Sequence, residues 1–223
     1  MEILQTIWTA LTNENELVLI LTGIPMIFIE ITVTLLLFTQ ILNISYTKRQ
    51  FICYIDSFST IAIISFYLIP APYNTFINIM VVPVLVYFIF KTNALKAIIS
   101  EITFYFAIFF ISTLVMFFYT LFLKADSMTL MTIPIYKMLY SFIVYSLLYL
   151  IYKLCKIKNW RITILDKFDT FNHNILIINF IIGIIAIAIQ AYTQYLYIKY
   201  IPIHGVLISL ALLVVYFLIS LYS

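Results

Sequence analysis

Long apolar runs, each about 20 residues or more, are the feature that most constrains how this chain can fold. The clearest extends from Leu17 to Leu42 and contains one charged residue, Glu30. Runs of this length match the hydrocarbon thickness of a bilayer, where backbone groups must hydrogen-bond internally. Because the runs do not alternate apolar and polar residues, they predict helices rather than barrel strands. The expected fold is an all-α bundle of transmembrane helices.

The composition agrees with lipid as the solvent of this chain. Hydrophobic residues make up 65% of it and charged residues 9%, with a mean hydropathy of +1.14. A soluble domain is about half apolar and about a quarter charged. The chain is therefore expected to be a multi-pass protein of the cell membrane. Its net charge of +3 does not indicate nucleic-acid binding, because the positive residues lie mainly in loops between the apolar runs.

Turn residues and charges divide the chain into seven predicted spans that form one membrane domain over residues 17–223. The spans are expected at about 17–42, 51–69, 73–90, 97–123, 132–154, 174–198 and 203–222. Residues 1–16 precede them as an extracellular or interfacial segment. Its apolar residues share one helical face, as in helices that lie on a membrane surface. Asn13, followed by Glu16, is the expected cap of the first span.

The stretch Lys153–Lys167 sets the predicted orientation. It contains five of the twelve Lys and Arg residues and one acid, Asp166. Loops rich in Lys and Arg stay on the cytoplasmic side. With this loop inside the cell, nine of the twelve positive residues fall on the cytoplasmic side. An odd number of spans then leaves the N terminus outside and the C terminus inside, although a count of six spans stays open.

No pattern in the sequence predicts catalysis, a metal site or a cofactor. The three glycines are dispersed, which excludes a phosphate-binding loop. His173 and His204 fall on opposite sides of the membrane in this topology. Pairing Cys155 with His173, as a membrane peptidase would require, is disfavoured because both are explained as unrelated interfacial residues. Cys53 and Cys155 are expected to be reduced thiols near cytoplasmic helix ends.

Glu30 is the most informative polar residue, because a carboxylate near the middle of a span costs about 3 kcal/mol. Gly23 and Thr34 share its helical face, so this face is expected to point into the bundle. Glu30 is either an acid that contacts a ligand or couples conformations, or a structural acid bonded to a neighbouring helix. Asp56 and Glu101 lie close to cytoplasmic helix ends, where they are expected to reach the interface in structural roles.

Other polar residues supply further candidates near the outer surface. Asn74 and Asn78 share a face near the outer end of the third span, and Tyr195 and His204 lie at the outer ends of the last two. An aromatic, uncharged outer mouth would suit a small apolar peptide, although interfacial tyrosines are also common. The predicted ligand-binding or coupling residues are Glu30, Asn74, Asn78, Tyr195 and His204.

A stripe of small and amide residues runs along the sixth predicted span. It consists of Asn179, Gly183, Ala186, Gln190 and Gln194. Small residues let helices approach closely and amides hydrogen-bond across the contact, so a packing seam is the first interpretation. A signalling face is the other, because such a seam can hold two registers of similar energy.

Several runs of residues resemble one family. They are ILQTIWTALT, GIPMIFIEITVTLLLFTQILNI, LIPAPYNTFINIMVVPVLVYFIFKT and the closing YFLISLYS. Together they are similar to the N-terminal membrane sensor of accessory-gene-regulator-type (AgrC-like) receptor histidine kinases of Gram-positive bacteria. The run at Pro72–Asn78 is its most distinctive part, and the resemblance is weaker from about residue 100 to 195.

The resemblance implies a quorum-sensing receptor, usually a homodimer, for a secreted cyclic peptide pheromone. The peptide would be read in the outer half of the bundle, and the last helix would relay the signal to a kinase domain and a response regulator. The sequence has no phospho-accepting helix and no ATP-binding domain, so this part is not expected to be an enzyme. It is expected either to stop where a cytoplasmic domain would begin or to have a short tail.

The alternative is a small polytopic transporter or permease subunit. Glu30 and the amide stripe of the sixth span would then form a polar pathway. Transporters often contain two related halves with paired helix breaks. The sequence contains no internal repeat, and its prolines do not pair, so the receptor interpretation is preferred.

The predicted topology can be tested with reporters fused after Tyr222. Green fluorescent protein should fluoresce there and alkaline phosphatase should be inactive, because the C terminus is expected in the cytoplasm. The same two reporters fused after Leu123, at the expected outer end of the fourth span, serve as the control and should give the opposite result. Active alkaline phosphatase after Tyr222 would contradict the receptor topology.

Overall fold

The computed structural model describes residues 2–70, 73–123 and 132–162. Every regular element within these ranges is an α-helix. The helices are α1 (Glu2–Thr12), α2 (Glu16–Ile41), α3 (Lys48–Leu68), α4 (Tyr73–Phe90), α5 (Ala94–Leu123) and α6 (Pro134–Ile157).

Four of these helices contain segments long and apolar enough to cross a membrane. The segments are Glu16–Ile41, Lys48–Leu68, Lys96–Met116 and Pro134–Ile157, and α4 has a shorter apolar segment, Ile77–Phe90. The prediction of an all-α, membrane-type fold is confirmed at this level. The predicted spans at 174–198 and 203–222 lie outside the described residues. The count of seven and the orientation of the termini therefore stay predictions.

The first long helix begins later than the sequence pattern suggested. Asn15 is its N-cap, and the side chain accepts a hydrogen bond from the Val18 backbone N–H at 3.1 Å. The prediction of Asn13 as the cap is wrong, because the Asn13 N–H still donates to the Thr9 carbonyl in the last turn of α1. A short connection of Asn13–Asn15 therefore separates α1 from α2.

Helices α2 to α6 run up and down, so their ends define two ends of the bundle. We call the end where α2, α4 and α6 begin the upper end, and the opposite end the lower end. At the lower end, the Gln50 side chain donates to the Ile89 carbonyl at 2.7 Å, which joins α3 to α4. The Ile162 N–H donates to the Ile41 carbonyl at 2.8 Å, so the chain after α6 returns to the end of α2.

Helix α2 lies at the centre of the described bundle, in contact with α3, α5 and α6. One side of it packs through Leu35 and Phe38 into a cluster with α3, α4 and α5. The other side packs through Leu37 into a second cluster with α5 and α6 that includes Leu148. Lipid tails are as apolar as these side chains, so close packing and interhelical hydrogen bonds must hold the helices together.

The burial of α2 changes at one position. All its buried residues lie at Ile31 or beyond, toward the lower end. The bundle is therefore tightly packed around the lower part of α2 and more open around the upper part. Glu30 lies at the boundary between these two parts.

Candidate ligand-binding cavity

A cavity of about 360 Å³ lies in the upper half of the bundle and is walled by residues of all five helices α2 to α6. Its apolar wall includes Phe58, Phe66 and Phe104. Its polar side chains are Glu30, Tyr67, Asn74, Asn78, Tyr105, Lys137, Ser141 and Tyr145. Small-ligand sites are typically concave and mostly apolar, with a few polar groups that fix orientation. The cavity has this character.

The upper part of α2 leaves room for the cavity. Gly23 lines it, and a Cβ atom added there would meet no heavy atom within 4 Å. Pro25 follows within the same helix and has no N–H to donate to the carbonyl four residues earlier. The missing side chain at Gly23 is therefore one reason that the space is empty.

Glu30 and Tyr145 form the central polar contact of the cavity. The Tyr145 hydroxyl donates to the Glu30 carboxylate at 2.5 Å and joins α6 to α2. Both residues are half-buried. This bond gives Glu30 the structural partner that the sequence left open, while its position in the cavity wall also lets a ligand reach it. The two interpretations of Glu30 are therefore compatible.

The two asparagines lie nearer the upper end. The Ser65 hydroxyl is 3.0 Å from the Asn78 side-chain oxygen, which joins α3 to α4. Asn74 lies one turn above Asn78 in the first turn of α4 and also lines the cavity. The structure therefore brings together three predicted residues, Glu30, Asn74 and Asn78. Tyr195 and His204 lie outside the described residues.

The stripe predicted on the sixth span also lies outside the described residues. Its members are Asn179, Gly183, Ala186, Gln190 and Gln194. Of the predicted basic loop, only Lys153 to residue 162 is described. Within the described ranges, no three His, Cys, Asp or Glu residues lie close enough together to hold a metal ion.

Lys137 is a cavity residue that the sequence interpretation missed, because it counted only as a charge on the outer side. The Lys137 ammonium lies 5.8 Å from the centre of the Phe66 ring. Lys137, Ser141 and Tyr145 recur every four residues along α6 and all line the cavity. This spacing places the three residues on one helical face, and it could have identified Lys137 from the sequence.

The prediction that Glu101 reaches the membrane interface is wrong. Its side chain is 1% exposed, and neither carboxyl oxygen has a hydrogen-bond partner within the described part of the chain. Glu101 is buried because it lies on the side of α5 that packs into the bundle, where Ala97, Ser100 and Phe104 are also buried. Asp56, predicted to behave similarly, is exposed.

The bond between Glu30 and Tyr145 can be measured with a double-mutant cycle. The variants Tyr145→Phe, Glu30→Met and their combination should give a coupling energy of about 1 kcal/mol in the free energy of unfolding. Reversible unfolding in mixed micelles provides the measurement. Tyr149→Phe, one turn along α6 and 43% exposed, is the matched control and should not couple to Glu30→Met. A coupling energy near zero for Tyr145 would contradict the contact.

No protein-family model, curated protein or solved structure matches this chain. The resemblance to receptor kinase sensors therefore stays a prediction.

Proposed function

We propose that this chain is the membrane sensor domain of a quorum-sensing two-component histidine kinase. It binds a small secreted cyclic peptide from outside the cell and relays the signal through its last helix. The single observation that supports this most is the cavity at the upper end, which contains three predicted ligand-contacting residues. Its volume lies in the range of small-ligand sites. It has room for the inserted part of a small peptide.

The cavity suggests how binding could change the bundle. Its polar walls are joined by hydrogen bonds between helices, from Tyr145 to Glu30 and from Ser65 to Asn78. A peptide N–H that donates to Glu30 would compete with the Tyr145 hydroxyl and weaken the link between α2 and α6. To convert a mostly inactive population into a mostly active one, the ligand must favour one state by about 5.5 kcal/mol.

The alternative, a small transporter or permease subunit, is favoured by one observation. Glu101 is a buried acid, and it lies one helical turn before Tyr105, which lines the cavity. Intramembrane acids often mark substrate or proton pathways. A transporter would move the compound that it binds across a bilayer, whereas a receptor would retain it without transport. Uptake of the bound compound into proteoliposomes, which enclose a compartment as the nanodiscs used below do not, distinguishes these outcomes.

Filling the cavity at Gly23 should abolish peptide binding. In Gly23→Leu the new side chain extends into open space, so the fold should be retained while the cavity becomes smaller. The chain is reconstituted in nanodiscs and incubated with concentrated culture medium of the source bacterium. Retained peptides are then identified by mass spectrometry. The wild-type chain should retain a secreted peptide and Gly23→Leu should lose it at least about tenfold.

Leu21→Phe is the matched control, because Leu21 lies on the same helix, is 59% exposed and does not line the cavity. This variant should retain the peptide as the wild type does. The proposal is contradicted when no peptide is retained by the wild type. It is also contradicted when Gly23→Leu, with unchanged thermal stability, retains the peptide fully.

A further inference from the structure

Lys137 occupies an unusual position for a lysine in a membrane bundle. It lies in the first turn of α6, near the upper end, and its side chain lines the cavity. It is half-buried, with its ammonium 5.8 Å from the Phe66 ring centre. An ammonium over an aromatic face gains about 0.5–2 kcal/mol, depending on its exposure to water. The Phe66 ring covers only one side of the Lys137 ammonium group.

Among the described residues, Lys137 forms no ion pair. The one carboxylate of the cavity wall is Glu30, which accepts from Tyr145. Tyr145 lies about 12 Å further along the axis of α6 than Lys137. The positive charge is therefore near the upper end of the cavity, and the hydrogen-bond acceptor lies further toward the lower end. A partly desolvated ammonium gains most from an anionic partner.

We infer that Lys137 is the anion-binding residue of this cavity, and that the ligand carries a carboxylate or a similar anionic group beside an apolar or aromatic part. The anionic group contacts Lys137 near the upper end of the cavity, and the apolar part packs against Phe66. A hydrogen-bond donor placed deeper in the ligand contacts Glu30. This inference rests on the proposed function only in that the ligand enters the same cavity. It differs from the sequence-based expectation that the outer mouth of the bundle is uncharged.

An anionic group near a membrane surface can belong to a soluble ligand or to a lipid headgroup, and the chemistry at Lys137 is the same. The cavity favours a soluble ligand. Lys137 is grouped there with Ser141 and Tyr145 on the inner face of α6, whereas Leu139 and Phe142 are exposed on its outer surface. The experiment separates the two sources by changing the lipid.

The test uses two small probes of nearly equal shape, 4-phenylbutyrate and 4-phenylbutanamide. Their affinities are measured by ligand-observed NMR with the full chain in phosphatidylcholine nanodiscs. The carboxylate should bind about tenfold more tightly than the amide, because only it forms a charge-assisted contact with Lys137. The preference should disappear in Lys137→Met and persist in Lys137→Arg, which keeps the charge.

Lys153→Met is the matched control. Lys153 lies 5.4 Å from the centre of the Tyr149 ring at the lower end, so this variant removes the same charge from the same kind of contact outside the cavity. It should keep the full preference for the carboxylate. The probes partition equally into the lipid around both Met variants, so partitioning does not contribute to the difference in affinity between them.

Three results would overturn the inference. The first is equal affinity of the two probes for the wild type, and the second is an equal loss of preference in Lys137→Met and Lys153→Met. The third is loss of the carboxylate preference when phosphatidylglycerol replaces part of the lipid at a salt concentration that screens repulsion of the probe from the anionic surface, which would assign Lys137 to a headgroup. Each can occur while the secreted peptide still binds, so failure here is distinct from failure of the proposed function.

Discussion

The hydrogen bond between Glu30 and Tyr145 is the contact on which the arrangement of the bundle depends. A carboxylate near the middle of a membrane helix costs about 3 kcal/mol, so it must face the protein interior and find a donor. The Tyr145 hydroxyl supplies this donor and fixes α6 against α2. The bond lies at the boundary between the packed lower half and the open upper half. The same residue therefore holds two helices together and forms part of a cavity wall.

The position of α2 explains why one helix can have both roles. Below Glu30, its opposite sides pack into two separate apolar clusters, through Phe38 on one side and Leu37 on the other. Because lipid offers apolar surroundings as good as the core, these clusters stabilise the bundle by close contact rather than by removal from water. Above Glu30, Gly23 contributes no side chain and the space is left empty. Loss of the hydrogen bond at Glu30 would therefore directly affect the packing of the lower half of the bundle.

Within the described ranges, the predicted spans agree with the observed helices to within a few residues, because span length is set by the thickness of the bilayer. The sequence also indicated that Glu30 faces inward, since an acid within a membrane helix almost always faces the interior of the bundle. Tyr145 could not be selected as its partner, because the chain contains 18 tyrosines and α6 is rich in them. Glu101 was misjudged because α5 is apolar on all sides, and such a helix gives no contrast by which to assign its buried face. Lys137 was missed because its charge was used only for topology.

The proposed function depends most on one condition, namely that the cavity at the upper end is accessible to water from outside the cell. Gly23→Cys, in a chain with Cys53 and Cys155 replaced by serine, tests this most directly. A membrane-impermeant, charged thiol reagent applied to intact cells should modify Gly23→Cys. It should leave unmodified the control Leu21→Cys, whose position does not line the cavity. Modification only from the cytoplasmic side, in inside-out vesicles, would contradict the account. So would modification by membrane-permeant reagents alone.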